Sequence, residues 1–271
     1  MPRPDLLAAA GEPLDWLARL RERCRAQGLN LVLPVDVARF DAGALRRGGV
    51  TLVECWATLG AAVVIADGGP GFFEAFARAS AASGERDPSA RTAPDPLDGF
   101  TVARVRQIAS EVFDDPAGTS WRVLFPFAQE PPVLPFQELG MAAGLPAPGP
   151  LGLQIHPTFG PWWAYRALLL SAQPLPEALG RRGSSPSVGD PCGSCTKPCV
   201  EACPAGAVAA SGFAFVPCSA RRLEDGSPCA RTCVARAACP VGTAERYGVA
   251  QLAFHMDASL VSLRRHVARR S

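Results

Sequence analysis

The chain has 271 residues, of which 48% are hydrophobic, and its formal net charge is +2. This length allows one large domain or two smaller ones, each with a buried core. The nearly balanced charge argues against nucleic acid or a membrane surface as a partner. The first residues show no apolar run after a basic start, and apolar runs elsewhere are too short to span a membrane. We therefore expect no signal peptide and a reducing, cytoplasmic compartment.

Hydrophobic spacing predicts alternating helices and strands in the first part of the chain. An amphipathic helix is expected at Pro13–Gln27, because its apolar residues recur on one helical face. Short apolar runs predict buried strands at Leu29–Val35 and Ala61–Ala66. The second strand ends in an Asp-Gly-Gly-Pro turn at residues 67–70, and a helix is expected to follow at Gly71–Ser80.

The middle of the chain continues this mixture. A long helix is predicted at Pro96–Phe113, an apolar strand at Trp121–Phe127 and a short helix at Pro135–Ala143. Two further apolar stretches, Leu151–His156 and Trp162–Ser171, flank a turn that contains proline and glycine. This arrangement predicts a β-hairpin.

A change in composition divides the chain into three parts. Residues 1–175 mix helices with strands and predict an α+β or α/β domain, of which we expect the α+β class. Residues 176–190 are rich in Pro, Gly and Ser and predict a linker. Residues 191–271 contain eight of the 10 cysteines, and they end in a helix predicted from Ala244 to about Val267.

The first cysteine motif places four thiols within twelve residues, at Cys192, Cys195, Cys199 and Cys203, and Pro204 follows the last. Clustered cysteines in a reducing compartment indicate a metal centre. Bacterial ferredoxins carry a similar run, C-x2-C-x2-C-x3-C-P, in which the fourth cysteine ligates a second cluster. Here the interval between the second and third thiols is one residue longer. The motif predicts a [4Fe–4S] cluster held by a tight loop.

A second motif occupies residues 218–239, and it ends in Cys-Pro-Val-Gly where the first ends in Cys-Pro-Ala-Gly. This degenerate repeat predicts a ferredoxin-like module with two [4Fe–4S] clusters, each ligated from both motifs. One cluster is assigned to the thiols Cys192, Cys195, Cys199 and Cys239. The other is assigned to the thiols Cys203, Cys218, Cys229 and Cys233.

Structural zinc is the alternative for these cysteines. Zinc sites usually contain two C-x2-C pairs separated by a long loop, and four cysteines in one short run followed by proline fit that pattern less well. The two remaining cysteines, Cys24 and Cys55, stand alone in the sequence. We expect both to pack as small hydrophobic residues in the core.

The upstream segment 153–169, LQIHPTFGPWWAYRALL, resembles the I-H-P-x-F-G-G-W-F-A-x-R-G signature of the CblC-type cobalamin-processing proteins. Three further segments are similar to elements of that family in the same order: Gly69–Phe73, Asp95–Arg106 and Pro132–Leu145. The resemblance covers about residues 63–170. Epoxyqueuosine reductases and reductive dehalogenases share this plan and add a double-cluster module.

The resemblance implies a nitroreductase-like domain that binds a corrinoid, with clusters that feed electrons to its cobalt. It implies a cofactor-binding set composed of His156, Phe159, Gly160, Trp163, Arg166 and Gly69. Four of these residues also have a structural interpretation. His156 is then a turn histidine bonded to backbone, Arg166 half of a salt bridge, Trp163 a core residue and Gly69 part of a tight turn.

Three functions follow from these observations. The first is a corrinoid-dependent reductase, which takes electrons from a flavoprotein or ferredoxin and passes them through [4Fe–4S] clusters to bound cobalamin. The second is a ferredoxin-like carrier or partner subunit without a cofactor of its own in the upstream domain. The third is a tRNA-modifying enzyme similar to epoxyqueuosine reductase, in which case an acidic proton donor is expected near Glu130.

Overall fold

A computed structural model of the chain describes residues 16–82, 95–128, 131–175 and 189–269. Glu130 and nearly all of the predicted linker lie outside these residues. Up to residue 175, the described elements are, in chain order, α1 (Trp16–Ala26), β1 (Leu31–Pro34), α2 (Val37–Arg46), α3 (Leu52–Cys55), β2 (Ala61–Gly68), α4 (Gly71–Ala82), α5 (Pro96–Phe113), β3 (Trp121–Leu124), α6 (Phe136–Ala142) and β4 (Trp163–Ser171).

The four strands form one antiparallel sheet in the order β1-β2-β4-β3. The central strand β2 is buried along its whole length, as expected for a strand covered on both faces. It pairs with β4 from Ala61 opposite Ser171 to Gly68 opposite Trp163. Helices on both faces of an antiparallel sheet confirm the predicted α+β class.

A β-bulge interrupts the pairing of β2 with β4. Ile65 lies opposite Ala167 but Ala66 lies opposite Tyr165, so Arg166 is the extra residue. A bulge of this kind shifts the alternation of side chains by one position. Arg166 and Ala167 therefore face the same side of the sheet, whereas Trp163 and Tyr165 face the other side.

Each face of the sheet is covered by its own hydrophobic core. On one face α1, α4 and α5 pack against the strands, through side chains such as Leu17, Phe72 and Val105. On the other face α2, α3 and α6 pack, through side chains such as Phe40 and Leu139. Helices α2 and α3 had no counterpart in the sequence analysis.

The predicted hairpin is wrong in its first half. Residues 151–156 form no strand, and only an isolated bridge joins His156 to Gly160. Gly152 has a φ of +70°, which breaks an extended run. The Gln154 amide nitrogen donates to the carbonyl groups of Gln137 and Pro146, so the segment is held beside α6 and does not pair with the backbone of β4.

Residues 189–269 contain short elements and one long helix. In chain order they are α7 (Pro198–Glu201), β5 (Val208–Ala209), β6 (Gly212–Phe213), α8 (Phe215–Leu223), a 3-10 turn (Pro228–Ala230), α9 (Val234–Ala237), a second 3-10 turn (Thr243–Glu245) and α10 (Val249–Ala268). The helix predicted from Ala244 begins later, at Val249, because Thr243–Glu245 form a 3-10 turn and both Arg246 and Gly248 are extended. Among the described residues, no helix has the length and apolarity needed to cross a membrane.

Candidate functional site

Four thiols from both cysteine motifs line one small cavity. They are the first predicted set, Cys192, Cys195, Cys199 and Cys239. The loop that carries them is shaped locally: Lys197 adopts a left-handed conformation, and Pro198 then begins α7 at the position where proline is best tolerated. The Lys197 N–H donates to the Cys195 sulfur at 3.3 Å.

The other four cysteines line a second and larger cavity of about 370 Å³. They are the second predicted set, Cys203, Cys218, Cys229 and Cys233. Cys218 lies on α8, and Cys233 caps α9 by accepting a hydrogen bond from the Arg236 N–H at 3.4 Å. Leu151 lines both cavities, so the two thiol sets are neighbours.

The thiols of each set surround a space and do not converge on a point. In the described part of the chain, no three His, Cys, Asp or Glu side chains are arranged to hold a single metal ion. Burial and, secondarily, the Asp190 carboxylate raise the pKa of Cys192 to about 11. Burial also raises the pKa of Cys233. A centre with positive charge would be needed to keep these sulfurs deprotonated, and a set of four thiols is the donor chemistry of an iron–sulfur cluster.

The two isolated cysteines differ. Cys24 lies on the buried face of α1, as predicted, and burial raises its pKa to about 12. Cys55 is only half-buried, at the end of α3. Neither residue lines either cysteine cavity.

His156 lies in a tight turn beside the first thiol set. Its Nδ1 accepts hydrogen bonds from the backbone N–H groups of Thr158 (3.1 Å) and Phe159 (3.3 Å). Its backbone exchanges two hydrogen bonds with Gly160, at 2.9 and 2.8 Å. Because Nδ1 is an acceptor, the neutral ring carries its proton on Nε2. Burial lowers the pKa of His156.

Three of the predicted cofactor-binding side chains form an aromatic patch. The His156 ring lies 4.9 Å from the Phe159 ring and 6.4 Å from the Trp163 ring, centroid to centroid. Trp163 also contacts Tyr165 at 4.7 Å, which confirms that they share one face of β4. The Trp163 indole N–H donates to the Gln154 carbonyl at 2.8 Å, so its ring orientation is fixed.

Arg166 lies on the other face of the sheet, away from this patch. Its guanidinium forms a buried ion pair with Asp67 and lies over the Phe72 ring at 5.1 Å. The sequence analysis did not identify Asp67 as the partner of Arg166. The signal was available, because an aspartate at the end of an apolar strand is buried and needs a charged partner.

Gly160 and Gly69 pack against the C-terminal part of the chain. A Cβ atom on Gly160 would clash with the Val241 carbonyl, and one on Gly69 would lie 2.5 Å from the Glu245 carboxylate. Both glycines have positive φ. The turn around His156 is therefore held against the segment that directly follows Cys239.

One arginine joins the two parts of the molecule. The Arg236 guanidinium donates to the Pro161 carbonyl at 2.6 Å. It also lies 4.5 Å from the centre of the Trp162 ring and 4.9 Å from that of Tyr247. The sequence did not reveal this role of Arg236. The residue lies three positions after Cys233, and the spacing of the second motif does not indicate which residues it contacts.

The class of fold is thus a four-stranded antiparallel sheet with helices on both faces. A region that contains two thiol-lined cavities is joined to it. No family model and no curated protein sequence matches the chain. Solved structures with this fold include an epoxyqueuosine reductase, with a TM-score of 0.57 and 14% identity over 86% of this chain and 67% of that one. Another is the C. elegans B12-trafficking protein CblC, with a TM-score of 0.55 and 13% identity over 92% of this chain and 94% of that one.

A third similar structure is an epoxyqueuosine reductase with an epoxyqueuosine-modified tRNA-Tyr stem loop, with a TM-score of 0.50 and 17% identity over 86% of this chain and 66% of that one. At these identities the likeness establishes the fold. The chain spans about two thirds of the length of these reductases.

Proposed function

We propose that this protein is an iron–sulfur reductase with one [4Fe–4S] cluster on each thiol set, supplying electrons to a corrinoid. The observation that carries the proposal is the division of the eight clustered cysteines into two cavities, four thiols in each, with ligands exchanged between the motifs as in ferredoxins. The fold shared with epoxyqueuosine reductase and CblC supports the same conclusion.

The pattern of ligands supports clusters over structural zinc. Zinc sites usually take two C-x2-C pairs separated by a long loop, whereas each cavity here combines three thiols of one motif with one thiol of the other. A cubane cluster has four separate iron atoms, so its ligands are spread around its corners. The proposal assigns one thiolate of each set to each iron atom of its cluster.

The proposal gives electrons a direction through the chain. The second set is connected to the first through Leu151, which lines both cavities. The first set ends at Cys239, and Val241, two residues further on, packs on Gly160 in the His156 turn. The proposed order is second cluster, first cluster, then the aromatic patch.

A corrinoid would bind beside His156, Phe159 and Trp163 and would supply a reducible cobalt ion. The three rings provide apolar surface for a flat macrocycle, and the hydrogen bond from Trp163 to Gln154 fixes one of them. His156 presents the Nε2–H as a donor, since its Nδ1 is satisfied by the turn. Arg166 and Gly69 are not part of this site in the proposal: Arg166 faces Asp67, and Gly69 packs on Glu245.

A carrier without a corrinoid is the second candidate. It is favoured by the close packing of Gly160 and Gly69 against the C-terminal segment, which fills space that the sequence analysis had assigned to a cofactor. The electron donor in either case is a flavoprotein or ferredoxin, and the compartment is a reducing cytoplasm. A tRNA-modifying reductase is the third candidate, supported by the fold shared with the tRNA-bound reductase.

The cluster assignment is tested by iron and sulfide analysis of protein purified without oxygen. Cys199→Ser and Cys229→Ser remove one thiol from the first and second sets, and each is expected to lower the iron content by up to about four atoms per chain. Cys55→Ser is the matched control and should leave the iron content unchanged. Zinc in place of iron in the unmodified protein would contradict the proposal.

The corrinoid assignment is tested by titrating cobalamin into the same protein and recording its absorption spectrum. We expect a spectral shift that saturates, and Trp163→Ala should weaken binding about tenfold or more. Trp121→Ala is the matched control, because Trp121 packs against the opposite face of the sheet. A cluster-containing protein that causes no shift would be a carrier. Activity on an epoxyqueuosine-containing tRNA would select the third candidate.

A further inference from the structure

The second thiol set is the more accessible of the two. All four of its cysteines are partly exposed, whereas Cys199 and Cys239 of the first set are buried. The second set is also the more distant from the His156 turn along the proposed route. Electrons that enter the chain from outside would therefore enter here.

Apolar side chains surround the opening of this cavity. Leu153, Phe213 and Val234 line it, and all three are exposed; Phe213 is 42% exposed. Helix α8, which carries Cys218, continues the apolar surface at its first turn with Phe215 and with Val216, which is 74% exposed. Contiguous exposed apolar surface around a proposed redox site indicates a protein contact.

Basic residues surround the same opening. Arg221 and Arg222 line the cavity beside the thiols, and Arg231 lies between the ligands Cys229 and Cys233. Residues 215–269 contain eight arginines and four acidic residues. The Phe215 ring contacts the His266 ring at 5.7 Å, so the basic last turns of α10 lie beside the start of α8. The surface is apolar at its centre and positively charged around it.

We propose that this surface is the docking site of the electron donor, a small acidic ferredoxin. This inference rests on the proposed function. One electron leaves the reduced carrier, whose iron is oxidised from Fe²⁺ to Fe³⁺, and enters the second cluster, which passes from the 2+ to the 1+ state; no bond is made or broken. Electron-transfer complexes are small and transient, and complementary charge raises their association rate.

The test is stopped-flow reduction of the cluster-containing protein by a reduced plant-type [2Fe–2S] ferredoxin without oxygen. Arg231→Glu reverses a charge that is 80% exposed and only loosely paired with Asp257, at 3.6 Å. We expect this change to lower the second-order rate constant about tenfold at low salt, and the difference should shrink at about 1 M salt, where the screening length falls to about 3 Å. Val216→Glu should act in the same direction.

Two matched controls lie outside this surface. Arg23→Glu changes an arginine that is 61% exposed and paired with Glu111 at the same 3.6 Å, on α1. Leu45→Glu changes an exposed leucine on α2. Both variants should reduce at the rate of the unmodified protein.

A small photochemical reductant, photoreduced deazaflavin, separates failure of this inference from failure of the proposed function. If deazaflavin reduces the clusters in every variant and ferredoxin also reduces all variants equally fast, the proposed docking surface is wrong. The cluster assignment is then unaffected. If Arg231→Glu weakens binding of a tRNA stem loop and leaves ferredoxin reduction unchanged, the surface belongs to nucleic acid and the inference is overturned. If no cluster is present to be reduced, both proposals fall.

Discussion

The two parts of the molecule are stabilised in different ways. The sheet and its helices enclose two hydrophobic clusters of 21 and 16 buried residues. The cluster found within residues 189–269 has three, Cys199, Val208 and Ala235, and two more cysteines pack against it. A region with so small a core needs another source of stability. Eight thiols bound to two inorganic centres would supply it, because such centres link distant segments of the chain.

The largest expected effect follows from this difference. Removing iron should release the amide protons of α7, α8 and α9 to exchange roughly two orders of magnitude faster or more, while those of β2 and β4 remain protected. Hydrogen exchange followed by mass spectrometry, on protein with and without iron, gives this result segment by segment. Equal protection of α8 in both forms would show that the thiol region folds by itself.

The next effect concerns charge within the sheet region. Asp67→Asn leaves the Arg166 guanidinium buried without its carboxylate, and we expect the free energy of unfolding to fall by about 3–5 kcal/mol in urea. Glu224→Gln removes the partner of Arg221 in an exposed ion pair on α8 and the residue that follows it. This change should alter the free energy of unfolding by about 1 kcal/mol or less.

A double variant shows the cause of the Asp67 effect. Asp67→Leu combined with Arg166→Met removes both charges, and it should recover most of the stability lost by Asp67→Asn. A double variant as unstable as the single one would mean that the site depends on shape or on the bulge at Arg166, and not on an unpaired charge.

A smaller effect tests the boundary between the two parts. Phe254 lies on α10, after the last cysteine in the sequence. Its ring nevertheless packs in the sheet core, 5.4 Å from the Phe73 ring and 5.6 Å from the Phe76 ring, centroid to centroid. Phe254→Leu should cost about 1 kcal/mol through lost packing. Phe213→Leu makes the same exchange at an exposed position and should cost almost nothing. Equal unfolding midpoints for the two variants would place α10 outside the sheet core.

The sequence predicted those elements whose ends carry a local signal. Helix α5 has the predicted bounds, because Asp95 caps it, Pro96 begins it and Asp114 ends it in a left-handed conformation. The missed helix α3 also had a local signal, the capping box of Thr51 and Glu54. Its four residues are too few for a hydrophobic period to be recognised.

The site was less predictable where it depends on register. Strand alternation places Arg166 on the face opposite to Trp163, but it does not reveal the bulge, which turns Ala167 to the same face as Arg166. The grouping of cysteines into two ligand sets followed from the repeat and stays a prediction, and in the structure each group of four thiols lines one cavity. The packing of Gly160 against Val241 joins residues far apart in the chain, and no local pattern encodes it.

The smallest expected effect concerns His156, which lies where the two parts meet. Burial lowers its pKa from the ordinary 6.5, so between the lowered value and 6.5 the unfolded chain binds more protons than the folded one. The free energy of unfolding therefore rises with pH in that interval and falls as the solution is acidified below about 6.5. Protonation of Nδ1 would also remove the hydrogen bonds from Thr158 and Phe159. Urea unfolding at pH 5 and at pH 7 should thus differ less in His156→Gln than in the unmodified protein, whereas an unchanged difference would assign the acid sensitivity to other groups.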